Sequence, residues 1–140
     1  MNAREKIWVS SVISIFTVSL IIILSVQTTV LDVFSISEIK SCLLVSDQGS
    51  TSDEVELKQT EISDLTSILN EVDITFSGAY DSIPLDNETT TAYRLYLEEI
   101  DGDICALIFA NHYFYINGTR YRIAESDIPR IEFFITSVFD

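Results

Sequence analysis

Between Ile7 and Leu31 the chain carries no charged residue, and this stretch restricts the fold more than any other feature. Its centre, from Ile13 to Val26, reads ISIFTVSLIIILSV. At about 1.5 Å per residue, a helix over the whole run exceeds the roughly 30 Å thickness of membrane hydrocarbon, so it can span with some tilt. Trp8 stands near one end, where an indole favours the interface. Arg4 and Lys6 precede the run, while Asp32 and Glu38 follow it. The positive-inside rule then puts the amino terminus in the cytoplasm and the rest of the chain outside.

The expected organisation is a cytoplasmic tail over 1–6, a transmembrane helix over 7–31, a juxtamembrane connection over 32–40 and an extracytoplasmic domain over 41–140. The chain would be a single-pass signal-anchored protein of the cell membrane, with the lipid bilayer as its partner through 7–31. A cleaved secretory signal has an apolar region of about 7–15 residues and a small-x-small site. Ser25-Val26-Gln27-Thr28-Thr29 is a poor site of that kind. A lipoprotein needs a cysteine directly after the run, and Cys42 comes too late. Buried helices of soluble proteins seldom avoid charge for so long. Ser10 and Ser14 have the small-xxx-small spacing that lets membrane helices pack closely.

Of 140 residues, 22 are acidic and 8 basic, a formal net charge of -14. Two of the basic residues, Arg4 and Lys6, precede the apolar run, so the remainder is more acidic than the whole. That charge repels phosphates and anionic headgroups and disfavours nucleic acid or a lipid surface as partner for a broad basic patch. It also keeps a domain soluble without further purpose.

After the connection, Ser41–Ser46 reads as a strand, Asp47–Ser52 has turn chemistry, and Val55–Leu57 is a short second strand. Thr60 can cap a helix from Glu61 to Val72, because Ile62, Leu65, Ile68, Leu69 and Val72 recur at helical spacing. Ile74–Phe76 alternates, and a polar loop follows from Asp81 to Thr90. Two hairpins are then expected. Tyr93–Ile100 returns through Asp101-Gly102 to Asp103–Ala110, and Tyr113–Ile116 returns through Asn117-Gly118 to Thr119–Ile123. Asp-Gly and Asn-Gly between alternating runs suit two-residue type I′ turns. A final helix begins near Ser126 or Asp127, tolerates Pro129 in its first turn, and carries Ile128, Ile131, Phe134, Ile135 and Val138 on one stripe. The predicted fold is α+β: an N-terminal transmembrane helix, then a small antiparallel sheet with two helices packed on one face.

Two-residue turns fix which residues share a face. In the second hairpin Tyr115 faces Arg120 and Tyr113 faces Arg122; in the first, Leu97 pairs with Ala106, Leu95 with Ile108, Tyr96 with Leu107 and Arg94 with Phe109. The side opposite the helices then collects Arg94, Tyr96, Leu107, Phe109, Tyr113, Tyr115, Arg120 and Arg122. Arginine beside tyrosine can recognise carboxylates, sugars or a protein by bidentate bonding and stacking. Arg94, Tyr96, Tyr113, Tyr115, Arg120 and Arg122 are therefore the candidate partner surface. The plainer alternative has each arginine covering its cross-strand tyrosine and pairing with an acid such as Glu98 or Glu125.

His112 is the only histidine, so a multi-histidine metal site within one chain is ruled out and every histidine-based triad depends on this residue. No Gly-rich phosphate loop or Cys-x-x-Cys occurs. No catalytic, cofactor-binding or metal residue is assigned, and the chain is read as a non-enzyme. Cys42 and Cys105 either join in one disulfide outside the membrane or pack as separate buried thiols. Asp101-Gly102-Asp103, with Glu98 and Glu99, offers oxygen ligands but lacks the spacing of an EF-hand loop. Asn87-Glu88-Thr89 and Asn117-Gly118-Thr119 match glycosylation acceptors.

The order of elements from Cys42 onward, together with Tyr115-Ile116-Asn117-Gly118-Thr119-Arg120-Tyr121-Arg122-Ile123 and the helix after it, resembles small extracytoplasmic domains of Gram-positive bacteria, uncharacterised and membrane- or lipid-anchored. Those domains frequently carry a lipidated cysteine where this chain has an apolar run. The resemblance implies no activity. The expected function is that of an extracytoplasmic binding, accessory or sensor domain with a protein partner at the outer face. The alternative is a structural or assembly subunit of a membrane complex, acting through its membrane helix.

Overall fold

The computed structural model describes residues 3–7, 10–11, 27–48, 50–80 and 91–140. Residues 3–7 and 10–11 are helical. Most of the predicted transmembrane segment, including Trp8 and Ile13–Val26, lies outside the described residues, as does the polar loop 81–90. Among the described residues no helix is long and apolar enough to cross a membrane.

The last residues of the span predicted for the membrane helix form elements of the domain. Gln27–Thr28 form a strand, β1, and Val30–Phe34 a short helix, α1. Val30 and Leu31 are 0% and 8% exposed, in the core of the domain. Thr29 caps α1, its Oγ1 accepting the Asp32 N–H at 3.3 Å. Ser35 closes the helix in the left-handed conformation, φ 56°, and the Ile36 N–H reaches back to the Leu31 carbonyl at 3.1 Å. Residues 32–40 are thus not a free connection.

The remaining elements are β2 (Ile39–Gln48), β3 (Thr51–Glu56), α2 (Gln59–Glu71), β4 (Ile74–Ala79), β5 (Thr91–Glu99), β6 (Ile104–Ala110), β7 (Tyr113–Ile116), β8 (Thr119–Ile123), a 3-10 turn (Glu125–Asp127) and α3 (Ile128–Phe139). The eight strands form one sheet in the order β1-β4-β8-β7-β6-β5-β2-β3, and every pairing is antiparallel. The α+β class holds.

α1, α2 and α3 share one core with the sheet. Cys42, Leu44, Leu95, Leu97, Leu107, Phe109, Phe114, Ile116 and Ile123 meet Ile62, Leu65, Ile68 and Leu69 of α2 and Ile131, Phe134 and Ile135 of α3. Burying each such aliphatic side chain stabilises by about 1.5–3 kcal/mol before conformational entropy is counted. α2 starts two residues earlier than predicted: the Glu61 carboxylate accepts the Lys58 N–H at 2.8 Å, so the cap is Lys58 rather than Thr60. This is one half of a capping box, since a lysine side chain has no acceptor to return. Asp127 precedes α3 but does not cap it with its side chain; its Oδ2 accepts the Asp73 N–H at 3.4 Å instead.

The two hairpins differ in how well their registers were predicted. At Asn117-Gly118 both central residues have positive φ, 49° and 77°, and the pairs are Tyr113–Arg122, Phe114–Tyr121, Tyr115–Arg120 and Ile116–Thr119, as predicted. The first hairpin is shifted by one residue. Glu99 donates its N–H to the Asp103 carbonyl at 2.8 Å, and Gly102, at φ 97°, donates to the Glu99 carbonyl at 3.0 Å. The loop is therefore Ile100-Asp101-Gly102, a three-residue connection with glycine at the positive-φ position. Leu97 pairs with Cys105 and Leu95 with Leu107, not with Ala106 and Ile108. A one-residue slip turns over a whole strand, so Leu107 and Phe109 enter the core, and Ala106 and Ile108 lie on the other face.

Candidate functional site: the helix-free face of the sheet

All six predicted surface residues share the face away from the helices, because the register error touched only β6. The ladder Val45–Arg94–Ile108–Tyr115–Arg120–Gly78 crosses six strands, and Tyr113 pairs with Arg122 in the next row. Their side chains do not form one open surface. They fall into two groups with the small or aliphatic residues Ala106 and Ile108 between them.

The first group is built on β2 and β5. Arg94 holds Asp47 through both Nε and Nη2, the latter at 3.0 Å, while Nη1 donates to the Tyr96 hydroxyl at 2.7 Å. The guanidinium also lies 5.8 Å from the Tyr96 ring centre. The hydrogen bonds from Arg94 hold the Asp47 carboxyl below its ordinary range, and Asp47 in turn raises Arg94. The partner of Arg94 is thus an acid one residue beyond the predicted end of the first strand, not Glu98 or Glu125. Glu98 instead accepts the Ser41 hydroxyl at 2.8 Å and lies 3.6 Å from the Lys40 ammonium.

The second group is built on β7, β8 and the end of β4. Tyr115 is 1% exposed, under the edge of the Tyr80 ring at a centroid distance of 4.7 Å. With Ala92, Ala110, Ile108 and Tyr113 these rings make a second, smaller core. Arg120 stacks over Tyr113, its diagonal neighbour, at 4.8 Å rather than over its cross-strand Tyr115. Its Nη2 donates to the Ser77 carbonyl at 3.3 Å. A bulge between Phe76 and Gly78, with Gly78 at φ 128°, shifts the ladder beside that carbonyl. Only Arg122 of the three arginines is exposed, in a hollow with Gln27, Thr75 and Glu125.

Tyr80 and Asp47 therefore decide this face, and neither was singled out from the sequence. A strand extending past Ser46 through Asp47 would have revealed the second, because Asp47 then falls one row from Arg94 on the same face.

The disulfide is ruled out by register. Cys42 and Cys105 both face the core and are free thiols, but Leu97 of β5 pairs with each of them and lies between. Two strand spacings, about 9.6 Å, separate their backbones, beyond the roughly 7 Å limit for bridging. Burial pushes the Cys42 thiol up to about 12. The Cys105 thiol is also raised, first by burial and then by Glu99, Asp103 and Asp101.

His112 occupies the second central position of the Asn111-His112 turn between β6 and β7, at φ 66°. Its Nε2 lies 3.2 Å from a Glu132 carboxylate oxygen on α3, beside a cavity of about 400 Å³ that Tyr93, Phe109 and Thr136 also line. The carboxylates of Glu99, Asp101 and Asp103 come within 4.8 Å of one another at the β5–β6 turn. Asp101 already accepts the Asp103 N–H there at 3.1 Å, and Glu99 is raised by burial and by the two aspartates. Asn117 is exposed at its turn; Asn87 lies outside the described residues. Comparison of the chain with family models, with curated proteins and with solved structures gives no match.

Proposed function

We propose that this chain is a membrane-tethered, extracytoplasmic, non-catalytic binding domain. The observation that carries the reading is that Gln27–Thr28 and Val30–Leu31 belong to the folded domain. The charge-free run ahead of them in the sequence is Ile7–Val26, about 20 residues, which at about 1.5 Å each matches the roughly 30 Å of hydrocarbon. The shorter segment thus fits a span better than 7–31 did. Arg4 and Lys6 on one side and the acidic domain on the other favour an inside amino terminus. The resemblance of Tyr115–Ile123 to anchored domains of Gram-positive bacteria points the same way.

The test is topological. In a Cys42→Ser, Cys105→Ser background, a single cysteine is placed either at Ser126, which is exposed, or at Asn2. On intact cells a membrane-impermeant maleimide should label Ser126→Cys and spare Asn2→Cys until the cells are opened, and the chain should stay with membranes after a carbonate wash. Extraction by carbonate, or the reverse labelling pattern, would sink the proposal.

A further inference from the structure

At the β2–β5–β6 end of the helix-free face the side chains open into a groove of about 500 Å³, lined by Ser41, Leu43, Glu56, Tyr96, Glu98 and Ile104. Two adjacent rows of the ladder build it: Glu56–Leu43–Tyr96, and Ser41–Glu98–Ile104. The volume lies within the roughly 300–1,000 Å³ of ordinary ligand pockets. Its walls are Leu43, Tyr96 and Ile104, and Ile104 is 68% exposed at the mouth. The one-residue shift of β6 creates this wall, since the predicted register would have turned Ile104 toward the helices.

The rim is acidic. Glu56 closes one side and Glu98 stands in the second row, while Glu54 shares the face one row on. Glu99, Asp101 and Asp103 crowd the turn that leads into Ile104. Arg94, one row away on the same face, is already held by Asp47 and Tyr96. Lys40 is the cation beside Glu98, at 3.6 Å and well exposed. An apolar floor under a negative rim fits a ligand that carries an apolar side chain between positive ones. A second copy of this chain is repelled by its own charge of -14.

We propose that this groove binds a cationic segment of a partner protein, with lysine or arginine side chains reaching Glu56 and Glu98 and an intervening apolar side chain packed on Leu43, Tyr96 and Ile104. The assignment rests on the binding-domain reading and names its partner class. It differs from a carboxylate or sugar ligand held by the arginines, of which Arg94 and Arg120 are engaged within the domain and Arg122 is exposed.

The probe is a fluorescein-labelled, capped pentapeptide of alternating lysine and leucine, titrated against the 140-residue chain in zwitterionic detergent and read by anisotropy, with empty micelles as blank. Matched lysine–serine and glutamate–leucine peptides are run alongside. The lysine–leucine peptide should bind about tenfold or more tighter than either control, and Ile104→Lys and Glu56→Lys should each weaken it about tenfold with unchanged circular dichroism. Equal binding of the lysine–leucine and lysine–serine peptides would reduce the effect to general attraction by a polyanion and overturn the groove. Binding untouched by both variants would place the site elsewhere, and concentration-dependent dimerisation lost in Ile104→Lys would give the groove to self-association. Failure here with the maleimide topology intact sinks only the groove; a cytoplasmic domain sinks the parent reading even if the peptide binds.

Discussion

Arg94 and Arg120 sit in one row of the ladder yet are held by different chemistry, and acid separates them. Arg94 depends on a carboxylate whose proton affinity is lowered in the fold. Such a group stabilises the fold fully above its unfolded pKa, about 3.9 for aspartate, and the contribution fades as pH falls through the lower folded value. Arg120 rests on a ring and a backbone carbonyl rather than on a carboxylate. Asp47→Asn should therefore cost about 1 kcal/mol at neutral pH, a modest figure because both side chains are partly exposed. The deficit relative to the parent should shrink below about pH 4. Urea denaturation of both proteins at pH 7 and pH 3 checks this; an undiminished deficit at pH 3 would show that shape rather than charge matters at Asp47. The placement of the arginines on one face was legible from alternation alone. Their partners were not, since Asp47 lay in a segment whose Asp-Gln-Gly-Ser composition reads as turn, and Tyr80 reaches Tyr115 from a strand end distant in sequence.

Turns set the registers, and the elements show why one was read correctly and the other was not. Asn117-Gly118 can supply positive φ at both central positions, which permits one tight geometry. Asp101-Gly102 also allows a tight turn, but glycine there serves equally as the last residue of a three-residue loop, and packing decides between the two. The longer loop puts Leu107 and Phe109, both buried, into the helical core; the shorter one would have exchanged them for Ala106 and Ile108. Gly102→Ala meets no neighbouring atom within 4 Å, yet keeps φ at 97°, a conformation that costs an L-residue about 1–2 kcal/mol. Its stability loss should appear in urea melts. An unchanged midpoint would mean that the loop relaxes to a negative φ at this position without cost. The helices were easier: the stripes of α2 and α3 were read at the right spacing, and only the cap of α2 moved, because Glu61 bonds backward to Lys58.

At the scale of the whole molecule, the domain boundary carries the most consequence. The charge-free run looked like one segment because Val30 and Leu31 are as apolar as what precedes them, and hydropathy does not distinguish membrane from protein interior. A chain starting at Asp32 lacks β1, Val30 and Leu31. It should be about 3–6 kcal/mol less stable than one starting at Gln27, from the two buried side chains alone. Urea melts of the two truncations decide the boundary; equal stability would return it to Leu31. β1 is an outer strand paired on one side with β4, whereas β2 lies between β5 and β3. A pull on the chain ahead of Gln27 therefore loads an edge strand first, and the inner strands are reached only through it.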